Sequence, residues 1–267
     1  MEDYKPIGVF DSGVGGLTVV KRIVEELPRE SIIYVGDTAH VPYGGKSARE
    51  LIRLGRNIID FLQEQEVKVV VAACNTSSSV SLPVLRGLYR LPLLDVISPG
   101  ARNAAAVTRN GKIGVIATQA TVNSQAYTQH IKAINPSLEV YEAACPQFVP
   151  LVESGRLDGA EVEQVVRGYL GALLAKGVDT LVLGCTHYPF LAPVIDRVMG
   201  GGVTLVDPAE ETVNQLRLTL LESGLANRGE NPPEYQFFAS GGVESFFKAG
   251  RLISSFRIDE VKPVQLD

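Results

Sequence analysis

Cysteine is scarce in this chain. Three residues, at positions 74, 145 and 185, are too few and too scattered for a disulfide framework, so reduced thiols are expected. Histidine is equally rare, and the absence of any CxxC or HxxxH spacing argues against a metal centre. Positive charge is not in excess either: 25 basic residues face 30 acidic ones, a formal net charge of −5 that leaves no footprint for nucleic acid or an anionic membrane. No apolar run approaches the length of a bilayer span, and Met1 to Pro6 lack the basic-then-apolar order of a secretory signal. The expectation is a soluble, cytoplasmic protein without low-complexity segments or solenoid repeats. An acidic ligand would then need a locally favourable pocket, which backbone N–H groups at helix N-termini supply without net positive charge.

What the chain does have is 45% apolar content over 267 residues, enough for two modest cores. Two stretches stand out. Residues 69–79 run from three valines through Ala72 and Ala73 to Cys74, Asn75 and Thr76, a strand emptying into a helix start. Residues 180–189 repeat the pattern: Leu181-Val-Leu-Gly184 is closed by Cys185, Thr186 and His187, then by Pro189 at a position suited to a first helical turn. In open parallel sheets ligands meet side chains beyond the carboxyl ends of strands, so both cysteines stand where chemistry can happen.

The remaining pattern is strand, loop and helix in alternation. Strands are expected at 7–10, 31–35, 69–73, 93–97, 112–117, 138–143, 180–184, 203–206, 235–239 and 256–258. Helices are expected from the glycine-rich turn to Pro28, from Ser47 past Leu62, and over 77–88, 124–134, 158–176, 190–198 and 208–222. Pro99-Gly100 marks a crossing into a second domain. The fold class expected is α/β: two doubly wound α/β domains facing each other across a central cleft, one formed by 1–97 with 208–267 and the other by 98–207.

The turn Asp11-Ser-Gly-Val-Gly-Gly16 only loosely resembles a dinucleotide fingerprint, because the third glycine is out of place. Close backbone approach to a small anion is the better use of these glycines, with Asp11 and Ser12 facing the same space. A purely structural role for Asp11, capping the helix that follows, competes with an acid/base role beside Cys74. The polar loop 36–45 after the second strand is a candidate site wall. A lone thiol is a weak signal, since buried thiols are common core residues, but two thiols at equivalent strand ends shift that balance. A helix N-terminus also lowers a thiol pKa from about 8.5 towards neutrality. Cys145, flanked by Ala144 and Pro146, reads as structural, and His187 reads as an acid/base partner rather than a metal ligand.

Asp11-Ser-Gly, Pro42-Tyr-Gly44, Cys74-Asn-Thr76 and Gly184-Cys-Thr-His-Tyr-Pro189, in this order and at these separations, resemble the cofactor-independent aspartate/glutamate racemase superfamily. The likeness runs from about Ile7 to about Gly242, and the segment beyond carries no matching motif. The resemblance implies that Cys74 and Cys185 are the two catalytic acid/bases and that no cofactor is used. It places Asp11, Ser12, Tyr43, Gly44, Asn75, Thr76, Thr186 and His187 around an amino acid, with Thr118 and Thr121 as further candidates. The histidine of the Cys-Thr-His motif is similar to the glutamate-specific branch, which implies glutamate as the small-molecule substrate and D-glutamate for peptidoglycan synthesis as the product. Association into a homodimer is left open by the sequence. A thiol–disulfide redox protein, a non-catalytic amino-acid binder, and racemisation of aspartate or a hydantoin are the competing readings; a redox protein would ordinarily keep its cysteines close together.

Overall fold

The computed structural model describes residues 4–229, 231–253 and 256–266. Its central strands are short and wholly buried, as expected where parallel sheets are covered on both faces. The chain opens with β1 (Ile7–Asp11), α1 (Leu17–Glu26), β2 (Ile32–Gly36), α2 (Ala48–Glu64), β3 (Val69–Ala72), α3 (Asn75–Val80), α4 (Leu82–Leu85) and β4 (Leu93–Asp95). It continues with α5 (Ile97–Val107), β5 (Lys112–Ala117), α6 (Gln119–Ser124), α7 (Ala126–Ile134), β6 (Glu139–Ala144), α8 (Phe148–Glu153), α9 (Ala160–Ala175), β7 (Thr180–Gly184), α10 (Ala192–Met199) and β8 (Thr204–Val206). The last elements are α11 (Pro208–Glu222), β9 (Tyr235–Ala239), α12 (Val243–Ile253) and β10 (Lys262–Pro263).

Two units result, Met1–Val96 with Ala209–Asp267, and Ile97–Pro208. The first holds a six-stranded sheet in the order β10-β9-β2-β1-β3-β4, and the second a four-stranded sheet in the order β6-β5-β7-β8, all pairs parallel. Strand alternation splits each core in two. In the first unit Ile7, Val9, Tyr34 and Val71 pack with α1, α11 and α12, while Phe10, Ile33, Val35 and Val70 pack with α2 and α4. In the second, Leu181 and Leu183 face α8, α9 and α10, while Ile113, Val115 and Val182 face α5 and α7. Each such buried aliphatic side chain contributes roughly 1.5–3 kcal/mol. Among the described residues no helix is long and apolar enough to cross a membrane.

Several local expectations need correcting. The strand expected over 93–97 ends at Asp95, and Ile97 already opens α5, so Pro99-Gly100 lies inside a helix. Proline is tolerated there because the first turn's N–H groups have no intrahelical acceptor. The helix expected over 77–88 is broken into α3, α4 and a 3₁₀ turn at Arg86–Leu88; Pro83 has no N–H for a continuous ladder, and Ser81 at the break donates to the Leu51 carbonyl at 2.8 Å. The helix expected over 124–134 is divided at Gln125, whose φ is 53°, and its forerunner α6 starts within the expected loop. No strand forms at 256–258. Phe256 instead stacks on Phe237 (5.9 Å, 13°) and Ile258 is buried against the same core, while the short β10 pairs with β9.

Candidate active site

Register builds the first half of the site. Asp11 pairs with Gly36, and Phe10 with Ala72, so the chains leaving β1, β2 and β3 emerge side by side. Asp37 N–H donates to the Asp11 carbonyl and Ala73 N–H to the Phe10 carbonyl, both at 2.9 Å. Asp11, Asp37 and Cys74 therefore occupy neighbouring carboxyl ends of the sheet, at the point where strand order reverses about β1.

Asp11 is buried, and one of its carboxylate oxygens accepts the Gly16 N–H at 2.8 Å, so it ties down the glycine turn before α1. Gly16 has no room for a side chain: a Cβ would stand 2.7 Å from the Asp11 Cβ, 2.8 Å from the Tyr34 hydroxyl and 3.1 Å from the Ala73 Cβ. The buried Tyr34 donates to the Gly13 carbonyl at 2.7 Å, and burial, with the charges of Asp11 and Cys74, pushes its phenol well above the ordinary value. Ser12, half-buried, sits at the head of the turn.

Asp37 is the hub of the next loop. Its carboxylate accepts the Tyr43 hydroxyl at 2.5 Å and the Ser240 hydroxyl at 2.6 Å, and faces His40 Nδ1 at 2.8 Å. Burial first, then Asp37, holds the Tyr43 phenol far above its ordinary value, so it remains a neutral donor. Tyr43 and Gly44 form a 3₁₀ turn with Gly45, following a cis Val41–Pro42 bond. Cys74 is 4% exposed and N-caps α3, its carbonyl accepting Ser78 N–H at 2.8 Å. Asn75 and Thr76 are the buried first residues of that helix, and Ser78 donates to the Ala72 carbonyl at 2.9 Å, tying helix to strand.

The second unit repeats the device. Ala117 pairs with both Ala144 and Gly184, so Cys145, Thr118 and Cys185 leave the ends of β6, β5 and β7 together. Cys74 and Cys185 are thus topological equivalents: each follows the strand beyond the first strand of its unit, on the side away from the second. Gly184 is again obligatory, since a Cβ would lie 2.7 Å from the Ile116 carbonyl oxygen. Thr118 caps α6, its Oγ1 accepting Thr121 N–H at 3.4 Å and lying 3.1 Å from the Thr121 hydroxyl.

Cys185 is 7% exposed, and Thr186 and His187 beside it are buried. His187 Nδ1 lies 3.8 Å from the Cys185 sulfur, while Nε2 lies 3.5 Å from a carboxylate oxygen of Glu153 at the end of α8. The turn is pinned by Tyr188, whose N–H donates to the Cys185 carbonyl and whose hydroxyl donates to the Cys145 carbonyl, each at 3.0 Å. Cys145 itself is fully buried; desolvation, with a contribution from Cys185, pushes its thiol up to about 12, so it is neutral across the physiological range.

The first unit therefore brings together Asp11, Ser12, Tyr43, Gly44, Cys74, Asn75 and Thr76, and the second Thr118, Thr121, Cys185, Thr186 and His187. Sequence reasoning missed Asp37, Ser240 and Glu153. Asp37 had a usable signal, an acidic residue just after a strand, whereas Glu153 sits on a helix that periodicity did not reveal. Among the described residues no group of three or more His, Cys, Asp and Glu is placed to hold a metal.

Comparison with known proteins fits this arrangement. The family model for Asp/Glu/Hydantoin racemase matches residues 7–216. Glutamate racemase 2 of Caldanaerobacter subterraneus is 44% identical over 265 residues, 99% of each chain. A glutamate racemase isoform from Bacillus anthracis superposes with a TM-score of 0.94 at 40% identity, covering 99% of this chain and 98% of that one. The Francisella tularensis glutamate racemase solved in complex with D-glutamate gives the same TM-score at 38% identity, covering 99% of both chains. A match this long, with relatives alike across their whole length and the motif residues gathered at two equivalent sheet ends, makes the chain a member of the aspartate/glutamate/hydantoin racemase family of isomerases.

Proposed function

We propose that this chain interconverts L- and D-glutamate without a cofactor, Cys74 and Cys185 serving as the two acid/bases. Inversion at the α-carbon requires one thiolate to take the α-proton from one face and one thiol to deliver a proton to the other; the reverse reaction exchanges the roles. Each turnover leaves the opposite cysteine ionised, and no electrons are gained or lost. The observation that carries this reading is the topological equivalence of the two cysteines in a member of this family.

The demanding step is forming a carbanion beside the α-carboxylate. Asn75, Thr76 and Thr186, with nearby backbone N–H groups, are assigned to hydrogen-bond that carboxylate as charge moves into it, the electrostatic term that usually dominates such barriers. Asp11 is assigned to the Cys74 side or to the substrate ammonium, and His187 to the Cys185 side. Glutamate rather than aspartate is favoured by the relatives' substrate and by Cys185-Thr-His187. The product would serve peptidoglycan synthesis in the cytoplasm.

The test is circular dichroism change on separate L- and D-enantiomers of glutamate and aspartate and on a hydantoin. Turnover of both glutamate enantiomers at least about 10²-fold faster than the others is expected, the discrimination a polar side-chain pocket can deliver. Faster turnover of aspartate or of the hydantoin would overturn the substrate assignment.

A further inference from the structure

The chain leaving β9 at Ala239, at the end of the stretch that resembles the family, reaches the loop that bears Tyr43. Register places it there: Gly36 pairs with Ala239, so Asp37 and Ser240 leave adjacent strand ends, and Ser240 N–H donates to the Gly36 carbonyl at 3.1 Å. One residue on, Gly241 N–H donates to Thr38 Oγ1 at 3.0 Å, and the Thr38 hydroxyl donates back to the Gly241 carbonyl. The two backbones are in contact; a Cβ on Gly241 would lie 3.1 Å from Ala39 Cα.

The direction of the Ser240 hydroxyl is fixed by its neighbours. Ala39 N–H donates to Ser240 Oγ at 2.9 Å, which leaves the hydroxyl proton for Asp37 Oδ1 at 2.6 Å. The other Asp37 oxygen accepts the Tyr43 hydroxyl at 2.5 Å. Asp37 is fully buried, and a buried carboxylate is held in place only as firmly as its donors are. Since the Tyr43 proton is committed to Asp37, Tyr43 serves a ligand through the turn it anchors rather than by donating its hydroxyl.

We propose that Ser240 is a positioning residue for the racemase site: acting through Asp37, it fixes the phenol of Tyr43 and with it the Tyr43–Gly44 turn. This rests on the function proposed above, which assigns that turn to glutamate. Ser240 touches no substrate in this account; it makes the turn after β9 part of the machinery.

Four full-length variants test it: Ser240→Ala, Ser240→Thr, Tyr43→Phe and the Ser240→Ala/Tyr43→Phe double variant. The KM for glutamate is expected to rise roughly tenfold in Ser240→Ala with kcat nearly unchanged, as for one lost hydrogen bond to a charged group. Ser240→Thr, which keeps the hydroxyl, should restore it. The double variant should be no worse than Tyr43→Phe, because the two residues act along one line. Independently of substrate, the Tyr43 Cζ resonance in ¹³C-tyrosine-labelled protein, assigned by its loss in Tyr43→Phe, should shift in Ser240→Ala and not in Ser240→Thr. An unshifted resonance, or a full additional KM increase on top of Tyr43→Phe, overturns the proposal. A shifted resonance with an unchanged KM in Tyr43→Phe supports the link and overturns instead the assignment of the turn to glutamate.

Discussion

His187 Nδ1 lies 3.8 Å from the sulfur of Cys185, with the Glu153 carboxylate on the far side of the same ring. A group beside one base of a two-base pair acts on the proton transfer at that base alone. His187→Gln is therefore expected to lower kcat by about 10²-fold, within the usual range for a general acid/base contribution. The α-deuterium isotope effect should rise in one reaction direction only. Equal isotope effects from L- and D-glutamate would contradict this placement.

Removal of either thiol should stop racemisation. Cys74→Ala and Cys185→Ala are each expected to lose at least about 10³-fold in kcat, while far-UV circular dichroism stays that of the parent, because each thiol is a small group at a strand end. Turnover near the parent's in either variant would remove that cysteine from the reaction.

Gly16→Ala should cost both stability and activity. Its Cβ would press on the Asp11 Cβ at 2.7 Å and on Ala73, next to Cys74, at 3.1 Å, so relief of the overlap must move site residues. A loss of about 1–3 kcal/mol is expected from overpacking, measured as a lower urea midpoint at unchanged slope. An unaltered midpoint would show that the turn yields freely.

Cys145 should be chemically silent. With its thiol pushed up to about 12 by burial, it is neutral well beyond pH 9, and in the Cys74→Ala/Cys185→Ala double variant an aromatic disulfide reagent at pH 8 should titrate no thiol until the protein is unfolded. The folded state holds this proton more tightly than the unfolded one. The resulting stability is fully present below the unfolded thiol's value and is lost as pH rises towards 12. Rapid labelling of the folded double variant would contradict the assigned burial.

The strands that carry the site were legible because each is a nearly unbroken apolar run ending in small or polar residues, as at Val69 to Thr76 and Thr180 to His187. Two elements were read less well: Pro99 in the first turn of α5 read as a crossing between domains, and α8, with Pro150 in its own first turn, was not read as an element, although the first turn is where proline costs least. Phe256 to Ile258 read as a strand because aromatic and β-branched residues serve equally well as a plug over a core. Cys74 and Cys185 were visible as a recurring local pattern. Ser240 and Glu153 act through partners remote in sequence, Asp37 and His187, and pairings of that kind leave no local period to read.

The central claim is proton exchange by two opposed bases, and the most direct measurement is racemisation of protiated L-glutamate in deuterium oxide, followed at early times by mass spectrometry of the separated enantiomers. The account predicts that D-glutamate forms with deuterium at its α-carbon while recovered L-glutamate keeps protium, since the base that removes one hydrogen is not the acid that returns the other. Deuterium accumulating in recovered L-glutamate as fast as in the product would mean a single base serving both faces and would contradict it.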